Sequence, residues 1–189
     1  MSREFREKLS SGEVEWKHAM NFENCIHDPL FDHPDDTCIL DFIPPPELHL
    51  MLGITNKILS LLNDEWSKLS GIEDCAYKWC DKNNIHRLEY RGKDLNCPAC
   101  KLLLTKKLQK LRRDLPWCLR HYILVFMAFD KVRMSCFSEV LIPSYKNDII
   151  HFGNLYCCLK TPEGKLVNIS TKIHVFLDHL AEFCERKGK

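Results

Sequence analysis

Beyond Pro44-Pro45-Pro46 the apolar residues recur at helical spacing, and little in the chain recurs at the two-residue interval of a half-buried strand. Leu48, Met51, Leu52, Thr55, Ile58, Leu59 and Leu62 lie along one stripe, directly after prolines that cannot continue a helix but can open one. The same spacing predicts a short helix over residues 72–81. It predicts another over 95–113, with Leu104, Leu108 and Leu111 inward. Pro116 ends that helix, and residues 117–137 form a long apolar helix, rich enough to be central to the core. Pro143 breaks the pattern again. A helix over 145–159, a turn at Thr161-Pro-Glu-Gly-Lys and a last helix over 172–186, capped by Ser170 or Thr171, complete the order. Residues 83–95 read as a connector holding a short extended piece.

The segment before the triple proline is different. Residues 21–46 hold five prolines among Asp and Asn turn formers. Between Lys17 and Lys57 there is no Lys or Arg but there are seven acids: Glu23, Asp28, Asp32, Asp35, Asp36, Asp41 and Glu47. The expected fold is therefore mainly α. A single multi-helix domain over residues 47–189 follows an irregular Pro/Asp-rich N-terminal arm over residues 1–46.

Hydrophobic residues make up 45% of the 189 positions, enough for a sizeable core, and the formal net charge of +1 points to no particular partner. No apolar run reaches the roughly 18 residues that cross a bilayer, so no membrane partner is expected. The first residues, Met1-Ser-Arg-Glu-Phe-Arg-Glu-Lys, are charged and lack the apolar stretch of a secretory signal. Eleven cysteines, an odd number without such a signal, read as thiols or metal ligands in a reducing compartment rather than as a disulfide framework. An intracellular protein, nuclear or cytoplasmic, is expected.

Four groups of residues bear on chemistry. His174 and His179 stand on the last helix, and two imidazoles can supply half of a zinc site. Five residues turn about 140° around an ideal helix, however. Either the helix is distorted at His174 or the two do not share a metal. Cys97-Pro-Ala-Cys100 is a CxxC, but it opens a helix beside apolar residues and has no second pair, which favours packing thiols over a metal or redox site. Cys25, His27, His33 and Cys38 share the acidic loop, at spacings that match no standard zinc pattern. Lys101, Lys106, Lys107, Lys110, Arg112 and Arg113 lie on one helix, with no acid between the first and the last. Such a face can follow a phosphate backbone, or it can simply be solvated. No nucleophile elbow and no phosphate-binding loop is present.

Three stretches, in order, resemble Transib-type DNA transposases and the related vertebrate recombinase that rearranges antigen-receptor genes. PPPELHLMLGITNKIL resembles an apolar helix introduced by an acid, a Leu and a His. RLEYRGKDLNCPACKLL resembles a later segment that passes through Gly into a helix. KIHVFLDHLAEF resembles the segment with two histidines five apart. The resemblance covers roughly residues 41–184. It implies the helical insert of an RNase H-like core whose two metal ions sit on three acids, and it makes His174 and His179 zinc-ligand candidates. In that family two of the acids and a CxxC precede the Leu-His segment, and the last acid lies well beyond the second histidine. Here 46 residues precede Glu47, without a CxxC, and the sequence given ends ten residues after His179. No catalytic residue is carried over. The expectation is a transposase-derived helical domain that binds DNA or a protein partner. A pure interaction module and an unrecognised Cys/His enzyme are the other readings.

Overall fold

The structure is a computed structural model that describes residues 7–8, 10–13, 47–87, 94–138, 140–161 and 163–186. The chain divides into two compact units, Met1–Ile39 and Leu40–Lys189. In the first, a turn is closed by the Ser11 amide on the Glu7 carbonyl at 3.0 Å. The acidic Pro-rich loop, and with it the Cys25, His27, His33 and Cys38 group, lies outside the described residues.

The second unit is helical. Among its described residues the only extended pairings are the isolated bridges Arg87 to Leu95 and Lys160 to Leu166. Helix α1, Glu47–Ser70, is the longest. Leu50, Met51, Ile54, Thr55, Ile58, Leu59, Leu61 and Leu62 are buried, a broader face than the single stripe expected, because α1 packs against four other helices. It ends where Gly71 turns left-handed at φ +68° and its amide reaches back to the Ser67 carbonyl, a turn that a side chain would strain.

Helix α2, Cys75–Lys82, starts three residues later than the spacing predicts. Asp74 precedes it in the left-handed region, and its side chain does not cap the helix. Instead α1 supplies the cap: Asn63 Oδ1 accepts from the Ala76 amide and Ser67 Oγ from the Cys75 amide. The boundary is thus fixed by tertiary contacts that local sequence does not carry.

The connector returns to α1 through Asn56. Its Nδ2 donates to the Leu95 carbonyl at 3.1 Å and its Oδ1 accepts from the Leu95 amide at 2.8 Å. Asn96 then caps helix α3, with Oδ1 on the Ala99 amide at 2.9 Å. Three segments make up α3: Cys97–Leu102, a π-turn over Leu103–Lys107, and Leu108–Asp114. At the π-turn the Thr105 hydroxyl donates to the Lys101 carbonyl, serving a group that the altered ladder releases. Trp79 Nε1 donates to Asp114 at 2.8 Å and ties α2 to the far end of α3.

The central apolar helix is shorter than expected. Pro116 imposes a 3-10 turn over Trp117–Leu119, and helix α4 runs from His121 to Cys136. Helix α5, Tyr145–Cys157, packs on it. Beyond α5 the chain folds back through the Lys160–Leu166 bridge, around Gly164 at φ +79°. Helix α6 comprises Thr171–His174, a second π-turn over Val175–His179, and Leu180–Arg186. Of the two expected caps it is Ser170 whose hydroxyl accepts, from the Ile173 amide.

The core is joined by aromatic contacts between three helices. Phe129 of α4, Phe152 of α5 and Phe176 of α6 lie with ring centroids 5.2 to 5.6 Å apart, and all three are essentially fully buried. Gly153 of α5 allows the α6 π-turn to approach: a Cβ there would come within 3.1 Å of Leu177 Cδ2. One buried acid sits nearby. Asp148 accepts from Ser144 Oγ at 2.9 Å and bridges to Lys131 Nζ at 2.8 Å.

Candidate functional site

Helix α3 turns its leucines inward. Leu103, Leu104, Leu108 and Leu111 are buried, as the spacing predicts for Leu104, Leu108 and Leu111. The same periodicity carries the cations outward. Lys101, Lys106, Lys110, Arg112 and Arg113 are exposed and Lys107 is half-buried. Among the described residues none of the six has an acidic partner. That arrangement offers donors to a polyanion at little desolvation cost.

Beside α3, helix α4 shows a face that sequence reasoning missed. Leu124 is 54% exposed, Met127 43% and Met134 49%, and Trp117 in the preceding turn is 82% exposed. Two hollows run between α3 and α4. One, of about 380 Å³, includes Arg112, Trp117, Arg120, Leu124 and Met127. The other, of about 440 Å³, includes Lys106, Leu108, Met127, Lys131 and Met134. Met127 lines both, so the two hollows adjoin at that side chain in a groove beside α4.

The two histidines are brought together. Their ring centroids are 5.1 Å apart and the rings stand edge to face. The π-turn between them is the reason: its i to i+5 bonding brings residues five apart onto one face, where a regular helix would splay them. His174 Nδ1 lies 2.6 Å from Asp178, and His179 Nδ1 lies 3.8 Å from Glu182. Those carboxylates stand three and four residues from the histidines, a spacing visible in the sequence. Both carboxylates approach Nδ1, and a carboxylate so placed can orient an imidazole whose other nitrogen binds a metal. Among the described residues no group of three His, Cys, Asp or Glu converges on one point. The pair thus stands as two imidazoles, with no third such group converging on them among the described residues.

The CxxC lies elsewhere in character. Cys97 is half-buried and Cys100 fully buried, whereas His174 and His179 reach solvent. Burial pushes the Cys100 thiol up to about 12, with Cys97 adding to the shift and the Thr55 hydroxyl opposing it. Cys80 is likewise pushed up to about 12, by burial and then by Asp81. Thiols so disfavoured as thiolates are poor nucleophiles. They pack as small apolar side chains, as the flanking leucines suggest.

No family model matches the chain, and neither a curated protein nor a solved structure is significantly similar to it. Among the described residues no helix is long and apolar enough to cross a membrane.

Proposed function

We propose that this is a transposase-derived helical domain that acts by binding, and that α3 holds the phosphate backbone of duplex DNA. The observation that carries the reading is the set of six cations on one helix, opposite its buried leucines and without acidic partners among the described residues. The order of the three transposase-like stretches supports DNA over other polyanions. Contacts of this kind place a protein on the duplex without reading bases. Affinity should fall with rising salt, with a logarithmic slope of roughly 0.9 for each phosphate engaged. Lys101→Glu, Lys110→Glu and Arg113→Glu together should remove binding and flatten that slope. If the triple variant binds duplex DNA with unchanged affinity and salt dependence, the reading is lost.

A second reading, zinc at His174 and His179, is favoured by the π-turn that places their rings 5.1 Å apart. The ion would tie the first turn of α6 to its π-turn, with the remaining ligands coming from water or from beyond the described residues. Metal analysis of protein expressed with ample zinc decides it. Less than about half an equivalent, or metal retained by the His174→Ala/His179→Ala chain, removes the reading.

A further inference from the structure

Arg120, just before α4, and Leu124, Met127, Lys131 and Met134 on it follow one another at alternating intervals of four and three. That is the seam by which one helix receives another. The three apolar members stay 43 to 54% exposed although the rest of α4 is packed almost all round. Trp117 extends the seam at its N-terminal end. Together with α3 this face bounds the two hollows that adjoin at Met127. Helix α4 has 16 residues and is roughly 24 Å long at 1.5 Å per residue, so its exposed seam can lie along a helix of about four turns.

We propose that the groove between α3 and α4 is a docking site for an amphipathic helix of a partner protein, with an apolar stripe flanked by Asp and Glu.

Charge selects that occupant. The groove is edged by Lys106, Arg112 and Arg120, none with an acidic partner among the described residues. The acid that lines it, Asp130, is neutralised by Arg133 at 2.8 Å. An acidic flank would meet these cations while leucine-like anchors fill the floor between Leu124, Met127 and Met134. Methionine suits the role, because its flexible thioether repacks around different anchors. A second copy of this chain fits worse. In a two-fold pairing each groove would set its own cations against the same cations of the other copy. A hydrated phosphate backbone fits worse too, since it offers nothing to bury Trp117 or Leu124. The groove shares Lys106 and Arg112 with the proposed DNA face, but Lys101, Lys110 and Arg113 do not line it, so the two surfaces can be altered separately.

The test uses the full chain and a synthetic helical peptide of about four turns, with Leu at heptad positions and Glu on both flanks. Its controls are a scrambled peptide and a version with Lys in place of Glu. The acidic peptide should bind in 1:1 ratio, at least about tenfold tighter than either control. It should also blue-shift the fluorescence that Trp117→Phe removes. Leu124→Glu/Met127→Glu should abolish binding while leaving the circular dichroism and thermal transition in place. Because apolar losses are ambiguous alone, Arg112→Glu/Arg120→Glu provides the second arm: it should weaken the acidic peptide about tenfold and favour the Lys version. Equal binding of acidic and scrambled peptides would overturn the proposal. So would a concentration-dependent dimer that Leu124→Glu/Met127→Glu dissolves, which would make the groove a self-association surface. Protection of Trp117 by duplex DNA but not by the acidic peptide would assign it to nucleic acid instead.

Discussion

His174 and His179 face each other edge to face across a π-turn, with centroids 5.1 Å apart, although five residues separate them. In a regular helix that spacing would turn the two imidazoles about 140° apart. The π-turn is accommodated because Leu177 packs over Gly153 and Phe176 enters the aromatic core, so tertiary packing supports the irregular ladder. One irregular turn thus brings together two imidazoles that a regular helix would hold apart.

If the pair acts as one site, both imidazoles should respond to the same metal event. Titration of Zn²⁺ into the chain, followed by NMR of the imidazole protons, should move His174 and His179 together and saturate at one ion. Asp178→Ala, which removes the carboxylate 2.6 Å from His174 Nδ1, should weaken binding about tenfold or more, because the orienting partner is lost. Independent titration of the two rings would mean that they do not share an ion.

Asn56 governs the approach to the basic helix. Its side chain makes two hydrogen bonds to the backbone of Leu95, a residue 1% exposed, and the cap at Asn96 follows immediately. Asn56→Leu leaves both Leu95 groups without their partner. The expected cost is about 1–3 kcal/mol in urea unfolding, with faster hydrogen exchange at the Leu95 amide. Asn56→Asp keeps the acceptor and should cost less. Equal stability of Asn56→Leu and the unaltered chain would show that water replaces both bonds.

The six helices were legible because apolar residues at 3.6-residue spacing and the breaks at Pro116 and Pro143 are local signals. The basic face was legible for the same reason: once Leu104, Leu108 and Leu111 point inward, the cations between them must point out. The exposed seam of α4 was not. Leu124, Met127 and Met134 are as apolar as Ile123, Phe126 and Phe129, and only the placement of α3 and α5 separates the two sets. The π-turns were hidden too, since Thr105 reaching back to Lys101 and Leu177 settling on Gly153 are outcomes of packing. For the histidines the sequence required a helix distorted at His174 if the two were to share a metal, and the fold places a π-turn over Val175–His179, between the rings.

Asp148 sets an acid limit on stability. Burial alone would raise its pKa, but hydrogen bonds from Lys131 and Ser144 outweigh that cost and hold the carboxyl below its ordinary value of 3.8. A depressed carboxyl stabilises the fold fully above its unfolded value, and the contribution is lost as pH falls through the folded value. Lys131 is well exposed, so solvent screens the pair and the effect is modest. Asp148→Asn should lower thermal stability at pH 7 and flatten the fall between pH 5 and pH 2, as read from melting curves. An unchanged acid limb would place its origin in other carboxylates.

The cysteines should divide sharply by reactivity. Cys118, Cys157 and Cys158 are exposed, while Cys80 and Cys100 are fully buried with thiols pushed up to about 12. Thiolate is the reacting form, so at pH 7.5 a pKa near 12 leaves only about one thiol in thirty thousand ionised, before access is considered. Iodoacetamide followed by peptide mass analysis should label Cys118, Cys157 and Cys158 within the native chain. Cys80 and Cys100 should be labelled only as the protein unfolds, at a rate that rises with urea. Asn56→Leu should raise that rate for Cys100 in particular, since the helix carrying it begins one residue after the Leu95-Asn96 anchor. Rapid native labelling of Cys100 alone would instead mark an activated thiol, and would return the CxxC to consideration as a reactive centre.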